Sequence, residues 1–152
     1  MSPDSGISLL ISTRRPVRKR ALNAFLLQVG QCVLHGREVS CLITTDASIR
    51  KLNRQFRGKD SATDVLSFPA TKASGVAGDL AISLDRATAQ AIGHGHSTHE
   101  ELCILMLHGA LHLAGMDHEK DTGEMARCET RWRKRLGLPT GLMERTARSA
   151  HA

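Results

Sequence analysis

The segment from Leu102 to Leu107 restricts the fold more than any other, because it is a run of six apolar residues, LCILML. A helix that is apolar on all sides has to be enclosed by other elements of the protein. Ser97 or Thr98 is a suitable N-cap for such a helix, and Glu100 and Glu101 would lie at its positive end. The sequence therefore predicts a fold organised around one buried helix.

Three histidines follow this run, at His108, His112 and His118, within HGALHLAGMDH. Helical residues four positions apart lie on the same face, so the first two imidazoles can bind one ion. Gly115 can adopt a positive φ and end the helix, which would turn the chain back and bring His118 to the same ion. Three neutral nitrogens on one side of a tetrahedron leave the fourth position open, as in catalytic zinc sites. We predict one bound metal ion, with Zn²⁺ the default and Ni²⁺, Cu²⁺ or Co²⁺ chemically acceptable.

Two other types of zinc site have to be compared with this one. The metzincin proteases share the histidine spacing but place a glutamate, the general base, directly after the first histidine. Gly109 occupies that position here and cannot accept a proton, which disfavours a peptidase. A structural zinc would need a fourth protein ligand. Cys103 would point away from the histidine face of the helix, whereas Cys128 stays open as a ligand.

The general base and the role of nearby polar residues stay unassigned from the sequence. Asp117 either hydrogen-bonds an imidazole, which would orient the ring, or caps a turn. Glu119, Asp64 and Asp79 are further candidates for the base, although the last two lie in strand-like motifs. Thr63 and Ser67 either line a cleft or satisfy the ends of a strand.

The length and the cysteines limit the class of protein. A chain of 152 residues is expected to form a single domain, with a core at about residues 7–136 and a flexible tail at 137–152. The four cysteines form no CxxC pair and no secretory signal precedes them, so we expect a reduced, cytoplasmic protein. No stretch approaches the roughly 20 apolar residues that span a bilayer, so no membrane is expected.

The charge favours a polyanionic partner. The net charge is +6 and the pI is about 9.6. Basic residues cluster at positions 14–20, 50–59 and 131–135, either to bind nucleic acid or as solvated helix faces. With three Phe, one Trp and no Tyr, affinity for nucleic acid would come from backbone electrostatics rather than extensive base stacking.

The pattern along the chain predicts an α+β fold, or a mixed α/β layer, with about four strands covered by about five helices. Strands are expected at Ile7–Thr13, Glu38–Thr44, Thr63–Phe68 and Asp79–Leu84, with Pro69 ending the third. Helices are expected from Pro16 to about Val29, from an Asp46 cap to Gly58, from an Asp85 cap to Ile92, over the histidine segment, and from Thr122 to Leu136.

Three separate motifs together resemble the YbeY family, the rRNA-maturation endoribonucleases of bacteria. They are LNRQFRGKDSATDVLSFP at residues 52–69, GDLAIS at 78–83, and HGALHLAGMDH. The resemblance covers about residues 7–136. Met116 departs from the family, which usually has an aromatic residue there, and Ala62 stands where a proline is common.

The resemblance implies a single-strand-specific, zinc-dependent endoribonuclease that acts in 3′-end maturation of 16S rRNA, in ribosome biogenesis and in ribosome quality control. It implies the small ribosomal subunit and an Era-type GTPase as partners, and no DNA. By position, His108, His112 and His118 match the metal ligands of the family, and Arg57 matches its functional arginine. A guanidinium can pair with two phosphoryl oxygens, although a surface salt bridge or a simple phosphate anchor would also explain an arginine here.

Two other functions stay open at this point. One is a metal-dependent hydrolase of another substrate. The other is a non-catalytic assembly factor that zinc stabilises and that binds rRNA by charge.

Overall fold

The computed structural model describes residues 6–71, 74–117 and 119–139. Four strands and five helices lie within these ranges. In chain order they are β1 (Ile7–Ile11), α1 (Lys19–Cys32), β2 (Glu38–Thr44), α2 (Asp46–Arg57), β3 (Val65–Pro69), β4 (Val76–Ser83), α3 (Leu84–His94), α4 (Thr98–Leu113) and α5 (Glu124–Arg135). The predicted tail lies outside the described residues from position 140 onward.

The four strands form one mixed sheet in the order β1-β2-β4-β3. β1 is parallel to β2 and β2 is parallel to β4, whereas β3 pairs antiparallel with β4. The helices pack on this sheet, so the prediction of an α+β fold with four strands and five helices is confirmed. Because β4 lies between β2 and β3, β3 occupies an edge of the sheet.

Helices cover both faces of the sheet. Val39, Cys41 and Ile43 of β2 point to one face, where they join the main core with α1 and α4. On the other face, α2 packs Ile49 against Leu66 and Ala81 in a smaller cluster. Hence α2 and α4 lie on opposite sides of the sheet.

Helix α4 is the centre of the main core, as its composition predicts. Every residue from 101 to 111 is buried, and the helix packs against α1, α3, α5, β3 and β4. Ser97 caps it in a reciprocal box, in which the Ser97 hydroxyl accepts from the Glu100 amide and the Glu100 carboxylate accepts from the Ser97 amide. Gly115, with φ of 96°, ends the helix as expected.

Two predicted N-caps are wrong for a shared reason. Thr45, and not Asp46, caps α2, and Ser83, and not Asp85, caps α3. The two carboxylates instead join the helices to each other. Asp85 accepts from the Asp46 amide at 2.8 Å, and Asp46 accepts from the Ser83 hydroxyl and from Arg86.

Several boundaries differ from the predicted ones. α1 begins at Lys19, whose amide donates to the Val17 carbonyl at 2.9 Å, and it continues to Cys32. Pro69 lies within β3 rather than after it, which an edge strand allows since proline lacks only a donor. β4 begins at Val76, three residues early, and α5 lies inside its predicted range. Within the described ranges, no helix is long and apolar enough to cross a bilayer.

Candidate active-site cleft

A cleft of about 570 Å³ runs along the free edge of β3. Its walls come from elements on both faces of the sheet. They are Arg57 and Lys59 at the end of α2, residues of the 63–69 segment, His108 and His112 of α4, and residues of the 115–119 segment after that helix. One rim therefore carries basic side chains, and the opposite rim carries Asp117 and Glu119.

The structure brings two of the three predicted metal ligands together. His108 and His112 lie one helical turn apart, with ring centroids 4.9 Å apart and ring planes at 74°. Both rings line the cleft. His118 lies outside the described residues. Its neighbours in sequence, Asp117 and Glu119, both line the same cleft.

A buried carboxylate holds the first of these imidazoles. Nδ1 of His108 lies 2.7 Å from Oε2 of Glu129 on α5, and the two residues are only 8% and 1% exposed. When Glu129 is ionised, its carboxylate can only accept, and Nδ1 is then the donor. The other ring nitrogen, Nε2, is on the side of the imidazole turned away from α5.

Sequence reasoning missed Glu129 and considered Asp117 for this role. The Asp117 carboxylate accepts from the Glu119 amide at 3.0 Å, as the turn-capping alternative predicts. One signal in the sequence could have found Glu129. It lies four residues after Met125 and three before Trp132, on the apolar face of α5, where an acidic side chain needs a buried partner.

Arg57 reaches the cleft from the other face of the sheet. It is the last residue of α2, which Gly58 ends with φ of 69°. Its Nη2 donates to the Ser67 carbonyl at 2.5 Å, and its guanidinium carbon lies 5.7 Å from the ring centroid of Phe68. Over the ranges that the structure describes, Arg57 makes no ion pair, so the salt-bridge explanation of this residue finds no support.

Of the remaining polar residues that the sequence suggested, some line the cleft and one does not. Thr63, Asp64 and Ser67 line the cleft, and Ser67 and Asp64 also make structural bonds. The Ser67 hydroxyl donates to the Gly109 carbonyl at 3.2 Å, and the Asp64 carboxylate accepts from the Val65 amide at 2.8 Å. Asp79 accepts from the Ser40 hydroxyl and does not line this cleft, which removes it as a candidate base.

Gly109 faces the sheet and not the cleft. A Cβ at this position would lie 2.7 Å from Leu80 Cδ2, 3.2 Å from Val65 Cγ2 and 3.3 Å from the Ser67 hydroxyl oxygen. A glycine therefore lets α4 approach β3 and β4 closely. There is no room for the glutamate that the metzincin pattern places here.

His108 and His112 fit a zinc ion whose third protein ligand lies outside the described residues. The donors are imidazoles, which suit Zn²⁺, and Nδ1 of one of them contacts the buried carboxyl group of Glu129, a type of contact that is common behind metal-bound histidines. Among the described residues, no three His, Cys, Asp or Glu side chains form a group that could hold a metal. Cys128 therefore does not join the two histidines in such a group. Cys103 contacts His99 instead, with its sulfur 3.7 Å from Nε2.

Fold and cleft together define a class of protein: a mixed α+β protein in which paired histidines and an arginine meet at one edge of a sheet. Comparison with known proteins gives the family. Residues 12–137 match the family model described as Endoribonuclease YbeY. The chain therefore belongs to this family, and the resemblance drawn from the three motifs is confirmed.

Individual relatives agree with the family model. A protein of Solibacter usitatus named Endoribonuclease YbeY is 55% identical over 129 residues, which cover 85% of this chain and 86% of that protein. A protein of Koribacter versatilis with the same name is 50% identical over 134 residues, or 88% of each chain. The solution structure of a Thermotoga maritima protein matches with a TM-score of 0.61 and 27% identity over 83% of this chain and 85% of the other.

Proposed function

We propose that this chain is a single-strand-specific endoribonuclease that binds one Zn²⁺ through His108, His112 and His118 and stabilises the reacting phosphate with Arg57. The observation that carries the proposal is that His108, His112 and Arg57 line a single cleft, although they come from opposite faces of the sheet. Membership of the Endoribonuclease YbeY family supports the same reaction. The motif supports His118 as the third ligand, and so does the position of its neighbours Asp117 and Glu119 at the cleft.

The protein side chains at the cleft have separate roles in this proposal. A zinc ion supplies Lewis acidity for attack on a phosphodiester. His108 and His112, on one face of α4, would hold the ion together with His118. Arg57 presents a planar, permanently charged fork that can pair with two phosphoryl oxygens as negative charge develops at the phosphorus.

The surface beside the cleft favours the backbone of an RNA strand. Lys51, Arg54 and Lys59 are exposed and continue from Arg57 along α2 and the loop after it. Arg50 is different, because its guanidinium forms a bidentate ion pair with Asp60 at 2.7 and 3.1 Å. A row of solvated cations next to the cleft would bind successive phosphates with an affinity that decreases with salt.

In the cell we propose that the substrate is ribosomal. The chain would act in the cytoplasm in 3′-end maturation of 16S rRNA and in ribosome quality control, with the small ribosomal subunit and an Era-type GTPase as partners. The net charge of +6 and the family of the chain support this assignment. Sequencing of 16S rRNA 3′ ends in cells that lack the chain tests it, and unprocessed 3′ ends are the expected result. Mature ends at wild-type abundance would contradict it.

The central experiment compares two RNA substrates of one sequence, single-stranded and annealed to a complement, with zinc-loaded protein. We expect cleavage of the single strand alone, and no cleavage by His112→Ala. Cleavage that survives this substitution would come from a contaminating nuclease and would overturn the proposal. The end groups of the products separate attack by water, which leaves a simple phosphate, from attack by the 2′-hydroxyl, which leaves a cyclic phosphate.

The role of Arg57 has its own test. Arg57→Ala is expected to retain its zinc and to lose about 10²–10³-fold in cleavage rate, the range for loss of one charge-stabilising donor. Arg57→Lys keeps the charge but not the bidentate fork, so an intermediate rate is expected. Wild-type turnover by Arg57→Ala, with zinc content unchanged, would refute the assignment.

A further inference from the structure

We propose that Glu129 is a positioning residue for the metal site: it fixes the tautomer and the orientation of His108 so that Nε2 is presented to the cation. The inference rests on the proposed function, because it assumes that His108 is a ligand. It concerns α5, an element that contributes no residue to the lining of the cleft.

The contact has the geometry that this role needs. Glu129 Oε2 lies 2.7 Å from His108 Nδ1, a normal distance for a hydrogen bond to a carboxylate. The imidazole nitrogens lie on different sides of the ring, so a hydrogen on Nδ1 leaves the lone pair on Nε2. His108 also lines the cleft, so the same ring contacts the carboxylate on one side and the cleft on the other.

The burial of Glu129 is what such a role requires. The residue is 1% exposed and lies on the face of α5 that packs into the main core, near Met125 and Trp132. Removing a carboxylate from water is unfavourable unless it gains strong hydrogen bonds, and an apolar residue of similar size would avoid that penalty. The need to hold the His108 imidazole in one tautomer would explain why an acidic residue occupies this position.

The inference predicts a specific loss of metal affinity. Removing a carboxylate behind a metal-bound histidine usually weakens metal binding 10–100-fold. Glu129→Ala removes the acceptor beside Nδ1, which lets the hydrogen exchange between the nitrogens, so we expect a weakening in this range. Glu129→Gln keeps the volume and an acceptor oxygen, so we expect a smaller loss.

The test measures the affinity of each variant for Zn²⁺ alone, by competition with a chromogenic chelator at a fixed pH. Two controls lie on the same helix. Glu124→Gln removes one negative charge from an exposed position, and Met125→Ala removes a buried side chain one turn before Glu129. We expect wild-type zinc affinity in both controls, although Met125→Ala lowers the melting temperature of the apoprotein.

A second measurement reports the tautomer directly and needs no metal. Long-range ¹H–¹⁵N correlation spectra of the apoprotein, at about pH 8 where a free imidazole is neutral, assign the hydrogen to one nitrogen. In the wild type we expect the hydrogen on Nδ1 of His108. In Glu129→Ala we expect a mixture of two tautomers, with the hydrogen on either nitrogen. A Glu129 that packs in the core without bonding Nδ1 would change stability but not this distribution, and the zinc affinities separate a structural hydrogen bond from a metal-positioning one.

The possible failures can be told apart. A wild-type chain that binds no Zn²⁺ would overturn the proposed function and this inference together. Wild-type zinc affinity in Glu129→Ala would overturn only the inference. A His108 hydrogen on Nε2 in the wild type would overturn it as well, because the carboxyl group would then be the donor.

Discussion

One substitution, glycine to alanine within a helix, is predicted to have opposite effects at two buried positions. At Gly30 of α1 an added Cβ would lie 3.6 Å from Ile7 and 3.6 Å from Val39, which is ordinary van der Waals contact. At Gly109 of α4 it would lie 2.7 Å from Leu80, with two more contacts below 3.4 Å. The pair therefore separates helix propensity from close packing.

The magnitudes follow from these distances. Alanine in place of glycine in a helix stabilises by about 0.5–1 kcal/mol, and burial of a methyl group adds up to about 0.8 kcal/mol. Gly30→Ala should therefore stabilise the protein by about 1 kcal/mol. At Gly109 the close contacts cost about 2–3 kcal/mol, the upper part of the range for overpacked cores, because Leu80 is only 2% exposed and has to shift within the core. The net effect of Gly109→Ala is a loss of about 1–2 kcal/mol.

Urea unfolding of the two apoproteins measures the difference, which should be about 2–3 kcal/mol. For a domain of this size each kcal/mol corresponds to about 2–4 °C in melting temperature, so the two variants should differ by about 4–12 °C. The wild type should lie between them. If Gly109→Ala were as stable as Gly30→Ala, α4 would not be packed on the sheet as closely as the distances indicate, and the explanation given for Gly109 would be wrong.

Two further predictions concern titratable groups. The Ser97 amide and hydroxyl donate to the Glu100 carboxylate and lower its pKa below the usual 4.5. The stability that these bonds contribute is therefore present above pH 4.5. It is lost as the pH falls through the lower pKa of the folded state. Glu100→Gln should therefore lose less stability than the wild type between about pH 6 and pH 3 in urea titrations, and equal losses would contradict this. Burial raises the pKa of the Cys41 and Cys103 thiols to about 12, so in the native protein iodoacetamide should label the exposed Cys32 first. Rapid native labelling of Cys41, detected by mass spectrometry of peptides, would be inconsistent with its burial.

Elements that depend on a local sequence pattern could be predicted closely from the sequence. β2 spans Glu38–Thr44 as predicted, because its alternation of buried and less buried residues is a property of the segment itself. The burial of α4 could be predicted as well, since six consecutive apolar residues have no polar face to expose. The pairing of His108 with His112 follows from the helical period alone.

Features that depend on contacts between distant segments could not be predicted. Asp46 and Asp85 are good N-caps in isolation, but the Asp85 carboxylate bonds a group 39 residues away and the Asp46 carboxylate bonds Ser83, 37 residues away. The caps are therefore Thr45 and Ser83. The partner of His108 was missed for the same reason. Glu129 is 21 positions away, and only the packing of α5 on α4 brings the two together.

The order of the strands explains why the cleft forms where it does. Arg57 belongs to α2 on one face of the sheet, and His108 and His112 belong to α4 on the other, so they can meet only at an edge. β4 lies between β2 and β3, which leaves β3 as that edge. Within β3, Ser67 contacts both sides, since its carbonyl accepts from Arg57 and its hydroxyl donates to the Gly109 carbonyl of α4. The spacing between the arginine and the histidines is therefore set by one residue of an edge strand and by the close approach of α4 that Gly109 allows.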